Sequence, residues 1–301
     1  MFNQNGLPEN QSTLSRRSRT VAGIGLHTGC QVSLSLSPAP INTGLRFRRV
    51  DLQQFEIEAT KKYVTRVSYC TTLMRQGVMI STVEHVLAAL YAMGVDNAYI
   101  DLDSLEIPIM DGSAQPFVEL IEEAGIAEQN DQRRYLRVLD RLEVRDGDKW
   151  ISIEPADAFL VDYSIDFPHR SIGVQRLEFE LTPQGFRQNV AFARTFGFYH
   201  ELEFMRNSGL IRGGSFDNAI VLGPEGVMNG TLRCPDEFVR HKVLDLVGDI
   251  SLAGMPILGR IRAHKAGHSL HTTFASRILH TPGLVKVVTL QTVAAAAGAG
   301  L

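Results

Sequence analysis

Residues 32–37, Val-Ser-Leu-Ser-Leu-Ser, alternate apolar and polar side chains with period two. That spacing puts one face of a strand inward, and Pro38-Ala39-Pro40 stops it. Leu45-Arg46-Phe47-Arg48 repeats the alternation after the turn residues Asn42-Thr43-Gly44. The period then lengthens, which predicts a helix over 82–93 closed by Gly94. A strand over 98–102 follows, then a turn at Asp111-Gly112-Ser113 and a second helix over 114–124, stopped at Gly125. The charged run Asp131-Gln132-Arg133-Arg134 marks a domain boundary at 131.

The second half starts over with strands, at 137–144 and 150–154, joined by a hairpin turn at Asp146-Gly147-Asp148. Helices are predicted over 182–189 and 237–253, and a strand over 259–263. Strands, then a helix, then a strand loosely repeat the order of the first half. Mixed strands and helices without a strict βαβ rhythm predict an α+β fold of two pseudo-duplicated domains, 1–131 and 132–301. The Ala/Gly tail, 294–300, carries no core.

Composition narrows the function. The 301 residues are 44% hydrophobic and 21% charged, a globular balance with length enough for two domains. A net charge of -3 argues against nucleic acid as a partner. No apolar run approaches the length of a membrane span. Arg16, Arg17 and Arg19 precede an apolar run (21–26) that is short and broken by glycine, so no signal peptide is expected. Cys30, Cys70 and Cys234 form no Cys-x-x-Cys pair, which points to a cytosolic protein with free thiols.

On the 237–253 helix, Val239, Val243, Leu246 and Ile250 fall in one apolar stripe. His241, Asp245 and Asp249 fall at i, i+4 and i+8 on another face, so His241 and Asp245 could grip one metal ion. By itself that spacing also fits a solvated polar face, but the flanking Phe238 and Leu252 suggest a covered one. In the first half, Ser81-Thr82-Val83-Glu84-His85 fits a capping box with a core histidine, or half of a metal site. Neighbouring helix residues point about 100° apart, so Glu84 could address a water on the far side of an ion held by His85. Two imidazoles and one carboxylate with a Glu alongside suit a hydrolytic zinc ion, and ferrous iron as well. His268 is expected in a loop after Gly267. Paired with Asp249 it would favour its cationic form and could protonate a leaving amine; otherwise it is a surface histidine. Thr195 could hold an oxyanion or cap a helix over 199–208. Phe196, Phe198, Leu202, Phe204, Met205, Leu210 and Ile211 cluster around Gly213-Gly214, which reads as core or as a narrow channel.

Six segments in order carry a resemblance: 23–29 (GIGLHTG), 81–85 (STVEH), 106–113 (EIPIMDGS), 193–198 (ARTFGF), 213–217 (GGSFD) and 236–242 (DEFVRHK). From about residue 12 to 280 the chain resembles the UDP-3-O-acyl-N-acetylglucosamine deacetylases, zinc amidases of the committed step of lipid A synthesis in Gram-negative bacteria. The resemblance implies two domains, each a sheet packed on two helices, with the active site between them and an acyl-chain passage built near 196–225. It implies zinc on His85, His241 and Asp245, Glu84 as general base, and His268 as general acid supported by Asp249. Thr195 would hold the oxyanion. Lys242, Lys265, Phe196, Gly214 and Cys70 would meet the substrate, an acylated UDP-sugar. His271 departs from the family pattern, Gly-His-x-x-Asn. The expected protein is a cytoplasmic monomer. The rival readings are a zinc amidase of the same build for another acylated amino sugar, and a non-catalytic binder of acylated nucleotide sugars.

Overall fold

The computed structural model describes residues 7–290. The first half builds a five-stranded sheet in the order Val21–Ile24, Gln31–Pro38, Ala98–Leu102, Leu45–Arg49, Phe55–Glu58. The central strand, Ala98–Leu102, is antiparallel to Gln31–Pro38 and parallel to Leu45–Arg49. The second half repeats this plan. Leu142–Asp146 and Lys149–Glu154 form the outer hairpin, Ile257–His264 is central, and Phe159–Phe167 and Gly173–Glu180 complete the other side. Ile257–His264 is again antiparallel to one neighbour and parallel to the other. The repetition that the sequence hinted at is thus a repetition of strand order and direction.

Six helices are described: α1 Glu84–Ala92, α2 Gln115–Ala124, α3 Pro183–Asn189, α4 Tyr199–Asn207, α5 Glu237–Ser251 and α6 His268–His280. α1 and α5 each precede the central strand of their sheet; α2 and α6 each follow it. α1 packs along α5, and most of the buried apolar residues of both halves join in one cluster. Nearly every residue of α5 is buried, so both of its faces are covered, as Phe238 and Leu252 suggested.

Two smaller sheets flank the helices. Val64–Arg66, Thr72–Arg75 and Val78–Ser81 lead into α1. Phe196–Phe198, Ile220–Gly223 and Gly226–Val227 carry α4, within the segment expected to form an insert. Asn10–Leu14 pairs with Ile126–Gln132, and residue 131 lies within that second strand. No helix among the described residues is long and apolar enough to cross a membrane. The Ala/Gly tail at 294–300 lies outside the described residues.

Two expectations change. The strand predicted over 137–144 is two strands, Tyr135–Val138 and Leu142–Asp146, because they have different neighbours: the first pairs with Val285–Val288, the second with Lys149–Glu154. The loop predicted around His268 is the first turn of α6. Its start lacks a side-chain cap, and it is held instead by Leu270, Phe274 and Ile278, a buried stripe at i, i+4 and i+8.

Candidate metal centre

The approach to α1 is set by a buried carboxylate. Glu106 accepts from the backbone N–H groups of His27 and Thr28 and from the hydroxyls of Thr28 and Thr82. Thr82 sits at φ 58°, a left-handed conformation that a β-branched residue takes only when its surroundings hold it there. The Glu106 bond to its hydroxyl is that hold, and it delivers Glu84 and His85 at the first turn of α1. No capping box forms. Ser81 ends its strand with its hydroxyl donating to the Leu105 carbonyl, and the Glu84 carboxylate accepts from Thr71 N–H at 3.0 Å. Glu84 is therefore free of the backbone role that the sequence also allowed.

α5 meets α1 at Gly248. A Cβ there would collide with the Glu84 carbonyl oxygen and lie 2.8 Å from its carbonyl carbon, so only glycine permits this approach. The close crossing brings His85 from α1 against His241 and Asp245, which lie at i and i+4 on α5. Their donor atoms lie within 4.8 Å of one another. Asp245 Oδ1 is 3.8 Å from His85 Nε2 and 3.4 Å from His241 Nε2, and the two rings meet edge to face.

The protonation states suit a cation. His241 Nδ1 donates to the Ala193 carbonyl at 3.1 Å, which leaves Nε2 bare toward the pocket. His85 Nδ1 is buried without a hydrogen-bond partner among the described residues. Burial, with the neighbouring His241, pushes His85 down to about 3, and burial lowers His241 also. Burial alone would raise Asp245, but Lys242 and the surrounding histidines hold it far below the usual carboxylate range. Two neutral imidazoles and one carboxylate, buried and converging, fit a divalent ion.

Beside these three side chains stand two groups whose protonation burial and charge shift strongly. Burial raises Glu84 to about 8, opposed by the charge of His268. Burial opposes charge on His268, yet Asp249 and Asp245 raise it to about 10. His268 Nδ1 donates to Asp249 Oδ2 at 2.8 Å, and its Nε2 lies 3.8 Å from Asp245 Oδ2. Asp249 is fully buried and also accepts from the Thr71 hydroxyl at 2.5 Å and from His271 Nδ1 at 3.0 Å. Sequence reasoning missed Thr71, whose backbone serves Glu84 and whose hydroxyl serves Asp249. Nothing in its local pattern signals contacts made across the whole fold.

The remaining predicted residues spread around this centre. Lys242 Nζ donates to Asp245 Oδ2 at 2.8 Å and lies over the Phe196 ring. Phe196 packs edge to face on Phe238 and on His241. Thr195 does not cap α4, whose N-cap is Phe198; its backbone is tied to Gly112 and Ile220. The 193–196 segment is fastened to α5 by Arg194, whose guanidinium and N–H both donate to the buried Glu237. Phe196 and Gly214 line a cavity of about 690 Å³ with Leu26, Leu202, Met205 and Ile211. Cys70 lines a second cavity of about 390 Å³ and is pushed up to about 12 by burial and by Glu84. His27 lines both cavities. Lys265 pairs with Asp148 and Asp166 and lines none of these spaces.

Residues 11–280 match the model of the UDP-3-O-acyl N-acetylglycosamine deacetylase family. A UDP-3-O-acyl-N-acetylglucosamine deacetylase of Solibacter usitatus is 46% identical over 283 residues, 94% of this chain and 96% of the relative. Proteins of the same name from Anaeromyxobacter sp. and Idiomarina loihiensis are 46% and 44% identical, each over 93% of this chain and 92% and 93% of their own. With the matched span running through α1, α5 and α6, where the converging side chains lie, the chain belongs to the UDP-3-O-acyl-N-acetylglucosamine deacetylase family.

Proposed function

We propose that this chain removes the 2-acetamido acetyl group of a UDP-3-O-acyl-N-acetylglucosamine, releasing acetate, in lipid A biosynthesis, and that it does so as a cytoplasmic monomer carrying one catalytic zinc ion. His85, His241 and Asp245 would hold the ion. The observation that carries the reading is the meeting of these three donors beside Glu84 and His268, from segments that lie far apart in the chain. A bound zinc supplies Lewis acidity and lowers the pKa of a coordinated water. Glu84, placed one residue before a ligand and oriented by Thr71 N–H, accepts the proton of the attacking water. A cation held by the three donors would favour its carboxylate form. His268, held cationic by Asp249, gives its proton to the departing amine.

Residues 1–131 and 132–301 then act as two domains that each supply part of the site. The Thr195 hydroxyl, in the segment whose Ala193 carbonyl accepts from His241, is assigned to the oxyanion, and Lys242 to the charged part of the substrate. The acyl chain enters the cavity under α4, among Phe196, Leu202, Met205 and Ile211. Lys265 and Cys70 are assigned to the outer parts of the substrate.

The test is acetate release from UDP-3-O-acyl-N-acetylglucosamine, from the same sugar without its acyl chain, and from a different acylated amino sugar. The acylated UDP-sugar should be strongly preferred. Activity should vanish on chelation and return with one equivalent of zinc. Turnover undiminished by chelation, or no acetate from any substrate after zinc addition, refutes the proposal.

A further inference from the structure

Asp249 receives a second imidazole that the chemistry above does not use. His268 and His271 lie at i and i+3 in the first turn of α6, so they share a face, and both aim Nδ1 at the same oxygen, Asp249 Oδ2, at 2.8 and 3.0 Å. His271 and Asp249 are both fully buried. A carboxylate only accepts, so the contact at 3.0 Å requires a proton on His271 Nδ1. In a neutral ring that leaves Nε2 as an acceptor, facing the Tyr163 hydroxyl at 3.0 Å. The same hydroxyl lies 2.6 Å from the Ala266 carbonyl, two residues before α6 begins, and its single hydrogen serves one of these two acceptors at a time. Tyr163 thus touches both His271 and the turn that leads into α6 from the neighbouring sheet. Thr71 occupies the other Asp249 oxygen from the opposite side. The carboxylate is left with no freedom to rotate, and its geometry dictates that of the His268 ring.

We propose that His271 is a positioning residue, which acts through Asp249 to hold the His268 imidazole with Nε2 toward the metal pocket. The inference rests on the proposed function, since it concerns the assigned acid. It adds a line of contacts, Tyr163 to His271 to Asp249 to His268, that spans sheet, α6 and α5. Loss of such an outer partner leaves substrate binding intact and slows the chemical step.

The experiment measures kcat, KM and zinc content for H271L, H271N, H268A and the double variant H268A/H271L. H271L should lower kcat about 10- to 100-fold, with KM and zinc unchanged within about two-fold. H271N returns an N–H donor to Asp249 and should recover most of the loss. In the H268A background, H271L should cost less than about two-fold, because the residue it positions is gone. An H271L enzyme with normal kcat, or an equal loss with and without His268, overturns the inference. If H271L does not fold, Y163F keeps the imidazole but lets it turn. It should lower kcat alone by about 3- to 10-fold, and an unchanged kcat again overturns the inference. Full activity in H268A would refute the parent reading of the acid, and this one with it.

Discussion

Gly248→Ala tests whether the metal site depends on how closely α5 approaches α1. The alanine Cβ would lie 2.8 Å from the Glu84 carbonyl carbon and 2.9 Å from its Cα, with the carbonyl oxygen closer still. Non-bonded carbon atoms settle at about 3.5–4.0 Å, so the helices must part locally by roughly 1 Å. Two effects on stability oppose each other. Alanine gains about 1 kcal/mol over glycine in a helix interior, while overpacking costs about 1–3 kcal/mol. The fold should therefore lose at most about 2 kcal/mol. The proposed ligand set would be less tolerant, because metal–ligand distances must hold to about 0.2 Å and the forced shift is several times larger. Zinc affinity, measured by competition with a chromophoric chelator, should fall at least about 10-fold, and kcat with it. Urea unfolding of the chelated protein supplies the stability figure. A variant that binds zinc within two-fold of the parent would refute the argument, whatever its stability.

Two further outcomes follow from protonation. His268 is raised to about 10 from an ordinary 6.5, so its contribution to stability is fully present below about pH 6.5 and is lost as pH rises through about 10. The chelated protein should therefore lose thermal stability across that window, and D249N should flatten the slope; an identical slope in both proteins would refute the assignment. Cys70, at about 12, holds only about one part in 10⁴ of thiolate at pH 8, whereas Cys30 is exposed. Iodoacetamide followed by peptide mass mapping should modify Cys30 long before Cys70, and comparable rates would contradict the raised pKa of Cys70.

The α5 pattern was readable because one helix carries both its core stripe and its proposed ligand face at fixed spacing. The strand 98–102 and the helices at 84–92 and 115–124 were readable for similar reasons, with glycines marking their ends. α6 was not, since its first turn has Gly267 where a capping side chain would announce it, and its threonines weaken the helical signal. The hairpin of Phe159–Phe167 and Gly173–Glu180 went unpredicted, although Gly173–Glu180 alternates in burial along its whole length. The apparent capping box was misleading because Ser81 is still committed to its strand, which turns its hydroxyl toward Leu105. Contacts such as Thr71 to Asp249 join residues 178 positions apart and leave no local trace.

His241 follows His85 by 156 residues. During synthesis at about 5–20 residues per second, His85 is made some 8–30 s before the residue that completes its pair. In that interval the proposed site has only His85 of its three donors, although His27, His169 and His200 also precede His241. Loading of the proposed ion would thus wait for the docking of α5 onto α1, and the ion would not be the seed around which the first half folds.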